Sequence, residues 1–272
     1  MTFKAAVLGS PIKHSLSPLI HNHAYKVLGF DGDYVAIEVK QDELRSFLSP
    51  ERLSDPNWCG FSLTMPLKEE ICSKDYTDLI EVDTRAARIQ SANTIFREGR
   101  NWKATSTDVT GIEFLLNDKK FNKVAILGAG GTARAALDSR QLENTEIFIC
   151  RRSASRDSQI IEAFPEHRIQ FLGWDEIEQV EGVDLLINTV PDDGISSVYF
   201  DPQVAPLLLD AIYSPWLPTL SRRQLEGGGQ LLSGIDLLCA QAIFQIEAMT
   251  QKSFDRQSLF SELKKVALQS LQ

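Results

Sequence analysis

Hydrophobic positions follow two alternating rhythms along the chain: short apolar runs of strand type, and longer stretches with helical spacing. Residues 5–8, 34–37 and 60–63 read as strands, with helices over 18–28, 42–48 and 66–73. Residues 94–96 and 102–105 pair as a hairpin across Glu98-Gly99-Arg100. A helix over 109–116 leads into a second, more regular series. Its strands are predicted at 124–127, 146–150, 169–172, 185–188 and 207–211, with helices at 132–140 and 158–164. Such alternation predicts mostly parallel sheets. Two helices, 234–249 and 255–271, close the chain. The fold class is therefore α/β with two domains. Residues 1–107 form a mostly parallel substrate domain, on which the helices of 234–272 are expected to pack. Residues 108–233 form a Rossmann-type dinucleotide-binding domain.

Composition narrows the function without naming it. A chain of 272 residues can bury a full core without staples. A net charge of −9 argues against nucleic acid as the main partner, since phosphate binding rewards a basic surface. Cys59, Cys72, Cys150 and Cys239 are scattered and form no C-x-x-C pair, so neither a disulfide framework nor a zinc site is expected. His14, His21, His23 and His167 have no metal-type grouping and are expected in structural or solvent-facing roles. The opening run MTFKAAVLGS is too short for a signal peptide, and no apolar stretch of about 18 residues offers a membrane span. A cytoplasmic protein with a small-molecule substrate is expected, as a monomer or homodimer.

Gly128-Ala129-Gly130-Gly131-Thr132-Ala133 follows the apolar strand KVAIL and opens a helix, the context that gives G-x-G-x-x-G/A its meaning. Gly128 permits the tight turn, Gly130 lets backbone N–H groups approach a pyrophosphate, and Ala133 allows close helix–strand packing. About twenty residues on, an NAD enzyme usually carries an acid for the ribose 2′-OH. Here Arg151 and Arg152 stand there instead, suited to a 2′-phosphate, so NADP is the expected cofactor.

Three further places carry candidate chemistry. Ser15 and Ser17 precede a helix that starts at Pro18; they serve either as a carboxylate seat or as plain capping residues. Lys68 lies just past a strand end and Pro66, and Asp108 lies where the first domain ends. The two form either an acid–base pair at a cleft or an ordinary surface salt bridge.

Taken in order, the segments GSPIKHSLSPLIHN, SLTMPLK, SANTI, STDVTG, GAGGTARAA, DAIYSPWLPT and SGIDLLCAQAIFQ resemble the shikimate dehydrogenase family over nearly the whole chain. The resemblance implies NADP-dependent, reversible reduction of 3-dehydroshikimate to shikimate, on the route to chorismate and the aromatic amino acids. It implies Lys68 and Asp108 as the catalytic pair. Ser15, Ser17 and Tyr213 would meet the substrate carboxylate, and Thr64, Asn93 and Gln241 the ring hydroxyls. Ala211 and Gly234 would lie beside the nicotinamide. Ser62 and Ser106 stand where the family usually has Asn, which implies a rerouted hydroxyl contact at the first and an altered turn before Asp108 at the second. A quinate/shikimate dehydrogenase, an aminoshikimate-type enzyme and a non-catalytic ligand sensor are the alternatives. Arg151 and Ser17 favour shikimate, and retention of Lys68 with Asp108 favours catalysis.

Overall fold

A computed structural model describes residues 2–180, 182–195 and 205–271. The chain divides into two compact units, Met1–Gly111 with Cys239–Gln272, and Ile112–Leu238. Both divisions fall inside helices.

The first unit begins β1 (Phe3–Gly9), α1 (Ser17–Val27), β2 (Gly32–Glu38). Short helices α2 (Leu44–Phe47) and α3 (Pro50–Ser54) lead to β3 (Trp58–Leu63), followed by α4 (Leu67–Glu70). Then come β4 (Glu81–Val82), α5 (Thr84–Ile89), the hairpin β5 (Thr94–Glu98) and β6 (Asn101–Thr105), and α6 (Thr107–Leu116). The strand order is β2-β1-β3-β5-β6-β4. β1 pairs in parallel with β2 and β3, while β5 runs antiparallel to both β3 and β6. The C-terminal ends of β1, β3 and β6 and the start of β5 therefore share one sheet edge, and the loops there can pool their side chains.

Burial explains the local choices. β1 buries Ala5, Ala6, Val7 and Leu8, as expected of a parallel strand covered on both faces. α1 buries Ile20, His21, Ala24 and Tyr25, one stripe at helical spacing. Phe61 stacks on Trp102 (5.6 Å between centroids) and meets Phe47 edge-on. α5 starts at Asp83, whose carboxylate accepts from the Ala86 N–H at 2.8 Å.

The second unit runs β7 (Lys123–Leu127), α7 (Gly131–Leu137), β8 (Glu146–Cys150), α8 (Asp157–Ala163), β9 (Arg168–Leu172) and β10 (Leu185–Asn188). It continues with α9 (Asp192–Ile195), β11 (Leu207–Asp210), α10 (Thr219–Glu226), β12 (Gln230–Leu232) and α11 (Gly234–Thr250). Its sheet is parallel throughout, in the order β12-β11-β10-β7-β8-β9. The order reverses between β7 and β10, where doubly wound sheets bind ligands beyond their strand ends. The last helix, α12 (Arg256–Gln269), packs on α1 in the first unit, with His23 and Glu262 3.9 Å apart.

Several elements differ from the sequence expectations. The helix expected over 132–140 stops at Leu137, and the one over 66–73 shrinks to Leu67–Glu70. α5, α10, β4 and β12 were not expected. α10 escaped because Ser221 and Gln224 are two of its three buried residues, so its inward face is mostly polar. Ser221 Oγ donates to Asp210 at 2.7 Å, and Gln224 Nε2 donates to the Ala205 and Gln230 carbonyls.

Candidate active site

In the first unit the shared sheet edge gathers a polar cluster around Asp108. Gly9 lets the loop after β3 come close, because a Cβ there would collide with Thr64 and the Met65 carbonyl. Backbone bonds from Ser10 N to Met65 O (3.0 Å) and from Thr64 N to Leu8 O (2.9 Å) tie the loops together. Lys68, on α4, donates from Nζ to Asp108 Oδ2 at 2.7 Å. Asn93, just before β5, donates from Nδ2 to Asp108 Oδ1 at 2.8 Å. Both carboxylate oxygens are thus held, one by a cation and one by a neutral donor.

The Lys68 and Asp108 side chains are 20% and 7% exposed, which sets the pair apart from a surface salt bridge. Burying such a pair costs solvation that its geometry must repay. Asp108 also lies in the first turn of α6, where the helix dipole favours a negative charge.

Asn93 is oriented by its neighbours. Its Oδ1 accepts from the Thr107 N–H at 2.7 Å, a backbone donor that cannot be an acceptor. Its Nδ2 therefore faces Asp108, and Gln241 Oε1 at 3.2 Å. Gln241 gets there because Gly111 lets α11 approach α6. A Cβ at position 111 would stand 2.9 Å from Gln241 N and 3.1 Å from its Cα.

Ser15 Oγ accepts from the Ser17 N–H at 3.3 Å, and the cap position of α1 is Leu16, with no side-chain capping bond. Ser15 thus receives the first N–H of α1 on its hydroxyl oxygen, which leaves the hydroxyl proton to donate to a carboxylate. Thr64 is half-buried beside Gly9. Ser62 is paired with Thr94 across β3 and β5, and its hydroxyl accepts from the Tyr34 phenol at 2.6 Å. The Ser106 departure leaves Asp108 in its place. Thr94, Thr107 and Gln245, which extend the cluster, escaped the sequence reading, and His21, expected in a structural or solvent-facing role, lies buried beside them. Gln245 was within reach of that reading, because it lies one helical turn beyond Gln241 on the same face of α11.

The second unit has a separate constellation. Gly128 has φ +99°, open to glycine but strained for other residues, and Gly130 is the cap position of α7, where an added Cβ would meet nothing within 4 Å. α7 has no acid in its first turn. These features leave room for a pyrophosphate and N–H groups to receive it, so the residues present fit a dinucleotide. Ala129, Gly131 and Thr132 complete the turn, and Ala133 is buried against the sheet. Buried Arg134, unnoticed in the sequence, donates from Nη1 to the Ala129 carbonyl at 3.0 Å and braces the loop.

The two arginines expected to act alike are placed differently. Arg151 makes a bidentate pair with Asp157, Nε–Oδ1 2.9 Å and Nη2–Oδ2 2.6 Å, and donates to the Leu172 carbonyl. Arg152 is exposed, with its guanidinium in none of these bonds. Buried Asp210 holds the loops after β10 and β11 by accepting from Asn188 Nδ2 (2.8 Å), the Ile212 N–H (3.1 Å) and Ser221. Burial pushes its carboxyl above the ordinary carboxylate range, and these three donors oppose the shift. Ala211 and Tyr213 lie in the loop so held. Gly234 presses on the Ile212 carbonyl, leaving no room for a Cβ. No cluster able to hold a metal ion occurs among the described residues, and no described helix is long and apolar enough to cross a membrane.

The strand order and glycine turn of the second unit define a protein of the Rossmann dinucleotide-binding class, with a part-buried Lys–Asp pair on its first unit. Residues 7–95 match the model of the shikimate dehydrogenase substrate binding domain. A shikimate dehydrogenase (NADP(+)) from Halothermothrix orenii is 30% identical, across 90% of this chain and 89% of its own. A homologue of the same name from Shouchella clausii is 29% identical, across 95% and 97%. The crystal structure of Mycobacterium tuberculosis shikimate dehydrogenase, 31% identical, superposes with a TM-score of 0.81 over 97% of this chain and 99% of that one. The chain belongs to the shikimate dehydrogenase family.

Proposed function

We propose that the protein catalyses the NADP-dependent, reversible reduction of 3-dehydroshikimate to shikimate, with Lys68 and Asp108 as its acid–base pair. The observation that carries this reading is the part-buried contact of 2.7 Å between Lys68 Nζ and Asp108 Oδ2, with Asn93 on the second oxygen. Family membership supports the choice of substrate and cofactor.

Residues 1–107 with 234–272 serve the substrate, and residues 108–233 the cofactor. Ser15 and Ser17, with Tyr213, take the carboxylate, a role suited to hydroxyl donors. Thr64, Asn93 and Gln241 take ring hydroxyls. Gly128 to Ala133 receive the pyrophosphate, and Ala211 and Gly234 offer backbone to the nicotinamide. Arg152 is the stronger candidate for the 2′-phosphate, because Arg151 already holds Asp157.

Bound NADPH supplies the hydride. Lys68 Nζ then donates a proton to the oxygen that gains negative charge at C3, and Asp108 keeps the ammonium aimed there. Asp108 also accepts from the neighbouring hydroxyl. Rates measured side by side with shikimate and quinate, each with NADP and NAD, test the reading. Fastest turnover with shikimate and NADP is expected; faster turnover of quinate would replace it with the sister activity.

A further inference from the structure

The polar cluster does not end at Asn93. His21, on α1, is fully buried, with its ring stacked on Tyr34 at 3.9 Å between centroids. Its Nε2 lies 3.1 Å from Gln245 Oε1. Gln245 Nε2 donates to the Asn93 carbonyl at 3.3 Å and to Thr94 Oγ1 at 3.2 Å. Thr94 Oγ1 lies 3.0 Å from both Asn93 Oδ1 and Thr107 Oγ1.

Donor and acceptor rules fix the direction of this chain. A carbonyl oxygen only accepts, so the Gln245 nitrogen must face Asn93 and its oxygen must face His21. His21 then donates from Nε2, as the Nε2–H tautomer. Its Nδ1 is left buried with no partner. An apolar side chain would fill this position without an orphaned nitrogen. The histidine places one N–H against Gln245, and every link beyond it leads toward Asp108. Gln245 fixes the proton of Thr94; Thr94 and Thr107 fix Asn93; Asn93 fixes Asp108 Oδ1.

We infer that His21, acting through Gln245, is a positioning residue that sets the orientation of Asn93 and thereby of the Asp108 carboxylate. Without the His21 N–H, the Gln245 oxygen loses its donor, and only the Asn93 carbonyl and Thr94 still hold the amide. Its hold on the Asn93 carbonyl and on Thr94 loosens with it. The proposed carboxylate contacts, Ser15 and Ser17, lie outside this chain of bonds, so the loss falls mainly on the chemical step. The inference rests on the proposed roles of Lys68 and Asp108.

The test is the hydride-transfer rate at saturating shikimate and NADP in the full-length protein, with folding checked by circular dichroism and thermal melting. His21→Phe keeps an aromatic ring against Tyr34 but cannot donate. It is expected to slow transfer about tenfold, or ~1.4 kcal/mol, with a smaller rise in the shikimate KM. His21→Gln restores a donor near Nε2 and should recover most of the rate. In an Asn93→Ala background, His21→Phe should cost nothing more, because the link it acts through is gone. Gln245→Leu leaves His21 in place and is read the same way, so a His21→Phe chain that fails to fold does not end the test. A wild-type rate in folded His21→Phe or Gln245→Leu overturns the inference. So does an equal loss with and without Asn93, or equal slowing by Phe and Gln. An unmodified protein that does not oxidise shikimate would instead overturn the proposed function.

Discussion

His21 is also costly in acid, and the cost follows from its surroundings. Its contacts are Tyr25, Tyr34 and Gln245, none of them charged at neutral pH. Burial pulls the imidazole down to about 3, against a small opposing effect of the Gln245 hydrogen bond. In the unfolded chain the same group titrates at about 6.5. As pH falls through about 6.5, the unfolded state takes up a proton that the folded state refuses, so stability drops; the drop continues until about pH 3. By linkage the loss near pH 5, relative to pH 7.5, is about 2 kcal/mol, and it is insensitive to a unit of error in the folded value. His21→Gln removes the titrating group. Urea unfolding of both proteins at the two pH values isolates the term. The wild type should lose about 2 kcal/mol more than the variant between pH 7.5 and pH 5. Equal losses would mean that the folded protein also protonates His21 by pH 5, and that burial does not hold the imidazole neutral there.

Gly111→Ala should destabilise the protein by about 1–3 kcal/mol, because the new methyl meets the backbone of Gln241 rather than a yielding side chain; denaturant titration checks this. Arg152→Ala should raise the NADP KM about tenfold or more while leaving the melting temperature alone, a phosphate contact being worth ~1.5–3 kcal/mol. Arg151→Ala should also lower stability, by about 1–2 kcal/mol, since it strands Asp157. Equal effects of the two on melting would refute the distinction. Ser15→Ala should raise the shikimate KM with little change in kcat, because a carboxylate contact is shared by ground and transition states; a fall in kcat alone would contradict it.

The residues proposed for the site were legible because they sit on motifs at the ends of apolar strands. Lys68 follows β3, Asn93 precedes β5 and the glycine turn follows β7, so the strand rhythm alone places each at a sheet edge. The supporting shell was less visible. Asp210, Ser221 and Gln224 are polar residues in buried positions, and polarity there erases the apolar period by which a helix is recognised. His21 read as one histidine among four; only the fold brings it against Gln245, far along the chain. Arg151 and Arg152 looked equivalent because their difference lies in Asp157, whose pairing is a matter of loop geometry.

Single-turnover hydride transfer in Lys68→Met, at saturating shikimate and NADP, tests the central claim most directly. The substitution keeps the aliphatic stem and removes the amine that contacts Asp108 Oδ2. The rate should fall ~10²–10⁴-fold, the usual worth of general acid–base help, while shikimate still binds. A variant that keeps most of the wild-type rate would show that the proton moves through another group, and that the Lys68–Asp108 contact is structural.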